Sequence, residues 1–413
     1  MKTIANTPLP SAVRQPDYDR RALRSRIVHL GFGAFHRAHQ ALLTDRVLNA
    51  QGGDWGICEI SLSGGVPLFE ALRQQDHLYS VLEKGADGHQ AIVVGAVHES
   101  LHRKLEGIAA VLEKLAEPQV AIVSMTITEK GYCIEPGSGR LDRQHSGIVA
   151  DLAWPHQPQT VPGILVEALR LRRERGLPAF SLLSCDNIPE NGHVLRRAVL
   201  DLVQARDPAL ADWIATAATF PCTMVDRIVP AATPATLDEI AAALGGVRDE
   251  CAIACEPFIQ WVVEDNFIAG RPAWEQAGVQ LVSDVLPFEH MKLRMLNGSH
   301  SFLAYLGYLG GYRYINECMA DEHYRRAALR LMLDEQAPTL SVTGISLADY
   351  AAQLIARFNN PALQHLTWQI AMDGSQKLPQ RLLDAVRWHL RHGGDYSGLA
   401  LGVAGWMRYV GGV

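Results

Sequence analysis

Residues 26–40 read R-I-V-H-L-G-F-G-A-F-H-R-A-H-Q. The first five form a short apolar strand, Gly31-Phe32-Gly33 a tight turn, and residues 34–49 a helix. Strand, glycine turn and helix in that order open a dinucleotide-binding fold. Gly31 permits the sharp turn, and Gly33 lets the backbone approach a pyrophosphate at the helix N-terminus. His36 stands where the usual fingerprint has its third glycine. Two glycines alone fit an ordinary strand–helix connection equally well; the flanking elements favour the dinucleotide. Cofactor contacts are expected from Gly31, Phe32, Gly33, Phe35 and Arg37.

The next strand, W-G-I-C-E-I-S-L at residues 55–62, offers an acid for the adenosine ribose hydroxyls. Glu59 is the candidate, although strand alternation leaves a second orientation open. No cation follows in S-L-S-G-G to receive a 2′-phosphate, which favours NAD as cofactor. Two further apolar strands, residues 120–127 and 179–183, empty into T-E-K-G-Y and S-C-D-N-I-P-E-N-G. Carboxyl ends of such strands are where α/β sheets place ligands. Loop capping by Asp186 and Asn187 could account for either exit alone, but the two together favour function. Asp226 and Arg227, set between apolar residues in M-V-D-R-I-V-P, fit either a structural pair or a functional one.

A change of pattern at D-V-L-P, residues 284–287, marks a domain boundary. The expected organisation is an N-terminal arm at 1–24, polar, proline-bearing and loose. A Rossmann-type α/β domain with a parallel-rich sheet follows at 25–285, then a mostly α-helical domain at 286–413. Within the latter, residues 289–309 read as one helix. At about 100° per residue, Lys292, His300 and Asn297 fall at roughly 0°, 80° and 140°, on one side of the rod. An amine, an imidazole and an amide on one wall can bind a sugar hydroxyl and remove its proton. Gly298 sits among them where Ala would be better by about 1 kcal/mol, so something should approach the backbone there.

The 413 residues suffice for two cores, and 48% hydrophobic content fits a globular chain. A net charge of −6 gives no support to nucleic acid or an anionic membrane as partner. Seven scattered cysteines with no C-x-x-C pair argue against a disulfide framework or a zinc site. Neither a signal-peptide core nor a run of about 18 apolar residues is present. The expected setting is the cytoplasm, with a small-molecule substrate and a monomer, or alternatively a small homo-oligomer.

The spacing K-x4-N-x2-H at Lys292, Asn297 and His300 resembles the signature of the polyol-specific long-chain dehydrogenases, the mannitol dehydrogenase family. The blocks G-F-G-A-F-H-R-A-H-Q, W-G-I-C, T-I-T-E-K-G-Y and S-C-D-N-I-P-E-N-G resemble it too. So, in the same order, do M-V-D-R-I-V-P, C-E-P-F-I-Q-W-V-V-E-D-N-F and M-D-G-S-Q-K. The resemblance implies metal-independent NAD(P) chemistry with Lys292 as general base and Asn187 and Asn297 holding the oxyanion. It assigns substrate positioning to His300 and the lining of the site to Glu129, Asp226 and Lys377. Gln369 departs from the arginine of some mannitol-oxidising members, and relatives continue beyond Gly412-Val413, which suggests a shortened chain or a reduced cap.

Without a metal, removing the hydroxyl proton falls to Lys292, whose pKa must drop from about 10.4 towards neutrality. The expected reaction interconverts a sugar acid or polyol and its keto sugar. D-mannonate and D-fructuronate come first, and mannitol 2-dehydrogenase or D-arabinitol dehydrogenase activity is the alternative. Lys377 is the first choice to meet a substrate carboxylate. A catalytically silent NAD-binding sensor would have lost the lysine or an asparagine, and all three are present.

Overall fold

The computed structural model describes residues 2–86, 88–135, 137–362 and 365–412; Val413 lies outside them. By internal contacts the chain forms two compact units, Met1–Glu83 with His89–Val285, and Lys84–Gly88 with Leu286–Val413.

The described strands are β1 (Arg24–Leu30), β2 (Trp55–Ser61), β3 (Tyr79–Gly85), β4 (Gly88–Val94), β5 (Val97–His102), β6 (Ile122–Met125), β7 (Ser181–Ser184), β8 (Thr223–Asp226), β9 (Ile253–Cys255), β10 (Gln260–Glu264) and β11 (Gln280–Val282). The principal sheet runs β5-β2-β1-β6-β7 with every neighbouring pair parallel. Adjacent residues along its strands serve opposite faces. Val28, Cys58 and Val123 pack with Val111, Leu165, Leu195 and Val199. Ile27, Ile57 and Ile122 pack with Leu42, Phe69 and Leu72. With helices covering both faces, the central strands carry apolar residues towards both rather than on alternate positions only.

Two small sheets, β11-β10-β8 and β4-β3-β9, complete the strands. Those of residues 223–282 are only three to five residues long, too short for periodicity to distinguish them from loops. The segment ahead of β1 is anchored, which corrects its expected looseness. Ile4 and Val13 are buried against Leu82, Val93 and Leu244, Arg14 N–H donates to Ala91 O at 3.0 Å, and Arg20 pairs with Asp76.

The second unit is built from helices around Phe302, Leu303, Met332, Leu354 and Leu382. Its central rod begins as Leu286–Met291, widens to a π-helix at Lys292–Gly298 and resumes as Ser299–Leu309. Two more π-helical turns, Leu331–Gln336 and Pro379–Leu383, lie beside it. Glu335, on the first of these, is buried and accepts from the N–H groups of Gly398 and Leu399 at 2.9 and 2.8 Å. Its charge thereby caps helix Ser397–Val410 at the positive end of the helix dipole. No helix among the described residues is long and apolar enough to cross a membrane.

Gly298 is where these turns meet. A Cβ there would lie 2.6 Å from Arg381 O and against the Gln336 amide. The neighbours anticipated at this glycine are therefore other turns of the same unit. By helix propensity alone Gly298→Ala should stabilise by about 1 kcal/mol. The clash reverses the sign, and a loss of about 1–3 kcal/mol is expected in urea unfolding. A gain would show that the turns can separate freely.

Candidate active site

At the turn after β1, Gly31 has φ +111°, and a Cβ on it would lie 2.5 Å from Thr126 O. Glycine is required there because both the backbone conformation and the strand exit beside it exclude a side chain. Nothing lies within 4 Å of a Cβ on Gly33, so the outer side of the turn is open to a ligand backbone contact. The following helix is broken: Ala34–Ala38 ends at His39 (φ −125°, ψ −97°), and Gln40–Gln51 starts afresh. The inward histidines account for the break, since His39 donates to Gln260 O at 3.1 Å while His36 turns towards β2.

Two of the side chains expected to touch cofactor, Phe32 and Arg37, face the protein instead. Phe32 is buried edge-on against Phe69 and Tyr79, at 5.7 Å each. Arg37 is buried over the Phe32 ring and donates to Gly33 O and Cys251 O, so it braces the turn from within. Phe35 is half-buried and stacks on His39 at 4.7 Å.

Glu59 is 0% exposed, and its Oε1 bonds His36 Nε2 at 2.6 Å. This corrects its expected role: a carboxylate sealed in the core cannot meet a ribose. Strand alternation took the other orientation. Burial pushes Glu59 up to about 7 and holds His36 below its ordinary range, so the neutral pair is favoured. His29 stacks on His36 with centroids 3.4 Å apart.

His29, His36 and Glu59 offer ligand atoms within 4.8 Å of one another, which is metal-like by composition. The geometry is unfavourable for a chelate. Thr126 Oγ1 donates to Gly31 O, so His29 Nε2–H donates to it in turn, and His29 Nδ1 accepts from Ser124. Two nearly parallel rings also cannot aim their in-plane lone pairs at one ion.

The exits of β6 and β7 are tied together by Asp186. Its carboxylate accepts from the N–H groups of Ile127 (3.0 Å) and Thr128 (2.9 Å) and from the Tyr132 hydroxyl (2.6 Å). Thr128 is held at φ +62°. Asp186 is thus a structural clamp, while Asn187 beside it and Glu129 on the facing exit are exposed. Asn191, which the sequence did not single out, bonds Asp186 O and both backbone groups of Thr223, fixing β8 against this loop. Asp226 is buried at the end of β8. Arg227 is structural, with its donors on Glu256 O, Ala38 O and the Glu83 carboxylate.

On the rod of the second unit, Lys292 is 4% exposed. Asn297 and His300 are half-buried, and Asn297 Oδ1 and His300 Nε2 are buried without a hydrogen-bond partner. The expected face angles assumed α-helical pitch throughout. The π-helical turn changes the phase between Lys292 and the other two. His300 stacks on Phe358 at 5.0 Å. Burial, then His365, Arg381, Arg357 and Lys377, keep its pKa well below the ordinary value, so the ring is neutral. Lys377 donates to Met372 O at 2.7 Å and lies 3.9 Å from Asp373. Arg381 was not anticipated; nothing in its sequence setting separates it from a surface arginine.

A parallel sheet with an open glycine turn at the carboxyl end of its central strand, and a helical unit carrying a buried lysine with amide and imidazole, define an oxidoreductase of the Rossmann type. The Mannitol dehydrogenase Rossmann domain matches residues 25–276 and the Mannitol dehydrogenase C-terminal domain residues 284–413. This chain belongs to the mannitol dehydrogenase family. It is 67% identical to the uncharacterized oxidoreductase YeiQ of Escherichia coli over all of this chain and 84% of that protein. With D-mannonate oxidoreductase of the same organism it shares 60% identity over all of this chain and 85% of the relative. Among solved structures, Pseudomonas fluorescens mannitol 2-dehydrogenase, in a ternary complex with NAD and D-mannitol, superposes with a TM-score of 0.89. It is 40% identical, over 98% of this chain and 83% of that one.

The buried Glu59 gives a pH signature. Its folded pKa is raised from 4.5 to about 7, so folding favours the protonated acid. That contribution is complete below about pH 4.5 and is lost as the pH rises through about 7. Glu59→Gln, which keeps a neutral partner for His36, should therefore gain roughly 1–3 kcal/mol relative to wild type between pH 4.5 and pH 8. Urea unfolding at both pH values measures the change. A constant difference would mean that Glu59 does not titrate in this window.

Proposed function

We propose that this chain is an NAD-dependent oxidoreductase that interconverts a sugar acid and its keto sugar, D-mannonate and D-fructuronate being the best assignment. The observation that carries the chemistry is Lys292, buried on a helical rod that also bears Asn297 and His300 with buried atoms left unpartnered. The 60% identity with D-mannonate oxidoreductase along the whole chain supports the substrate class. NAD in the ternary complex of the Pseudomonas enzyme supports the cofactor, and the open turn at Gly31 and Gly33 fits a dinucleotide. The exposed Ser63 and Gly64 after β2 carry no cation for a 2′-phosphate, which favours NAD over NADP without calling on Glu59.

NAD, held at the open turn of Gly31 and Gly33, would supply the hydride acceptor for the alcohol carbon, and the remaining steps fall to this chain's own residues. Lys292 removes the hydroxyl proton as general base. Asn297 and Asn187 donate amide N–H groups to the developing oxyanion, and as neutral donors they leave the lysine free to lose its proton. His300, neutral at physiological pH, orients a neighbouring hydroxyl. Glu129, exposed on its loop, relays the proton to solvent, and Asp226 and Lys377 line the substrate. No metal is called upon, and the reaction takes place in the cytoplasm.

The test is NADH oxidation with fructuronate and with fructose. Fructuronate should be the better substrate. Preference for fructose would transfer the assignment to mannitol 2-dehydrogenase or D-arabinitol dehydrogenase activity. Lys292→Ala should lower turnover by orders of magnitude while NADH binding, followed by fluorescence, stays nearly unchanged. Near-normal turnover would remove Lys292 from the mechanism.

A further inference from the structure

Arg381, partly buried, differs from three buried arginines in how its donors are used. Arg37 and Arg172 spend their donors on backbone carbonyls, and Arg227 on carbonyls and the Glu83 carboxylate. Arg381, on the π-helical turn Pro379–Leu383, makes one hydrogen bond, from Nη1 to the Ser301 hydroxyl at 3.0 Å. Its Nε is buried without a partner. No described carboxylate lies within ion-pair distance, and burial lowers the guanidinium to about 10.

The surroundings add positive charge. Lys377 stands four residues earlier, where like charges on a helix repel. Burial first and then Arg381 lower its pKa, against an opposing pull from Asp373. Arg381 and Lys377 both also act on His300. The acid recorded near these groups, Asp373, is largely exposed and 3.9 Å from the lysine. Buried cations are ordinarily paired. Here the counter-charge is missing on a guanidinium bonded to the rod that carries Asn297 and His300.

We propose that Arg381 is the specificity-determining residue that binds the carboxylate of the sugar acid; this rests on the sugar-acid reading above. The Ser301 bond fixes the guanidinium through Nη1, and Nε is buried, so Nη2 is the donor left for a ligand oxygen. A hydrogen bond from this charged donor to a carboxylate oxygen is roughly twice as strong as one between neutral groups. Lys377, already engaged by Met372 O and partly neutralised by Asp373, is the weaker candidate and serves as a flanking charge. A polyol has no group that needs the charge, so the enzyme should discriminate through it.

The experiment compares kcat/KM for NADH-dependent reduction of fructuronate and fructose in wild type, Arg381→Gln and Arg381→Lys. NADH binding and thermal unfolding of each variant serve as folding controls. Loss of a charge-assisted hydrogen bond predicts that Arg381→Gln lowers efficiency about tenfold to hundredfold more on fructuronate than on fructose. Lysine keeps the charge but not the hold on Ser301, so Arg381→Lys should show the same selectivity in smaller measure. It decides the matter if the glutamine variant does not fold. Equal losses on the two substrates would overturn the assignment of Arg381 and leave the sugar-acid reading standing. A wild-type enzyme that reduces fructose but not fructuronate would overturn both.

Discussion

The helical unit depends on one close approach, the contact of three π-helical turns at Gly298. No side chain can be accommodated where Arg381 O and the Gln336 amide crowd the position of its Cβ. A π-helical turn gives up the favourable α-helical ladder, so such turns persist where the surroundings over-determine them. Here they have a visible consequence. The turn from Lys292 to Gly298 sets the lysine's phase relative to Asn297 and His300, and the turn carrying Arg381 delivers its guanidinium to Ser301. The residues proposed to act on substrate are positioned by backbone packing that glycine alone permits.

The α/β unit solves a similar problem by different means. Gly31 lets the first turn pass the carbonyl of Thr126, and Asp186 gathers the N–H groups at the neighbouring strand exit. One carboxylate holding two amides and a tyrosine hydroxyl rigidifies two loops at once, at the edge where a parallel sheet receives its ligand. Asn187 is thereby presented on a fixed loop. Its neighbour is committed to structure, although both residues offer a similar side chain to a reader of the sequence.

That contrast marks where the sequence was legible. The parallel strands and the glycine turn follow from apolar runs bounded by turn residues, and those signals depend only on local chemistry. The helical character of the second unit is legible for the same reason. The extra residue per turn at Lys292–Gly298 is not, because it is imposed by packing against turns about 35 and 85 residues away. Glu59 failed for a related reason. An acid in a parallel strand is expected to seek solvent, but His36, placed by the broken helix after the turn, reaches it first. Phe32 and Arg37 likewise sit in the right motif with their side chains turned into the core.

Glu59 and Arg381 together show how buried charge separates structure from function. Glu59 is fully buried and Arg381 partly so, and both have their pKa values displaced by burial. Glu59 has a partner of complementary chemistry within bonding distance, and the pair can become neutral by sharing a proton. It is satisfied by the fold itself. Arg381 cannot discharge in this way, since a guanidinium keeps its proton at any physiological pH. With a hydroxyl as its sole partner and a lysine close by, its charge is left for something outside the chain to balance. A carboxylate brought by the substrate meets that requirement, whereas the hydroxyls of a neutral polyol do not.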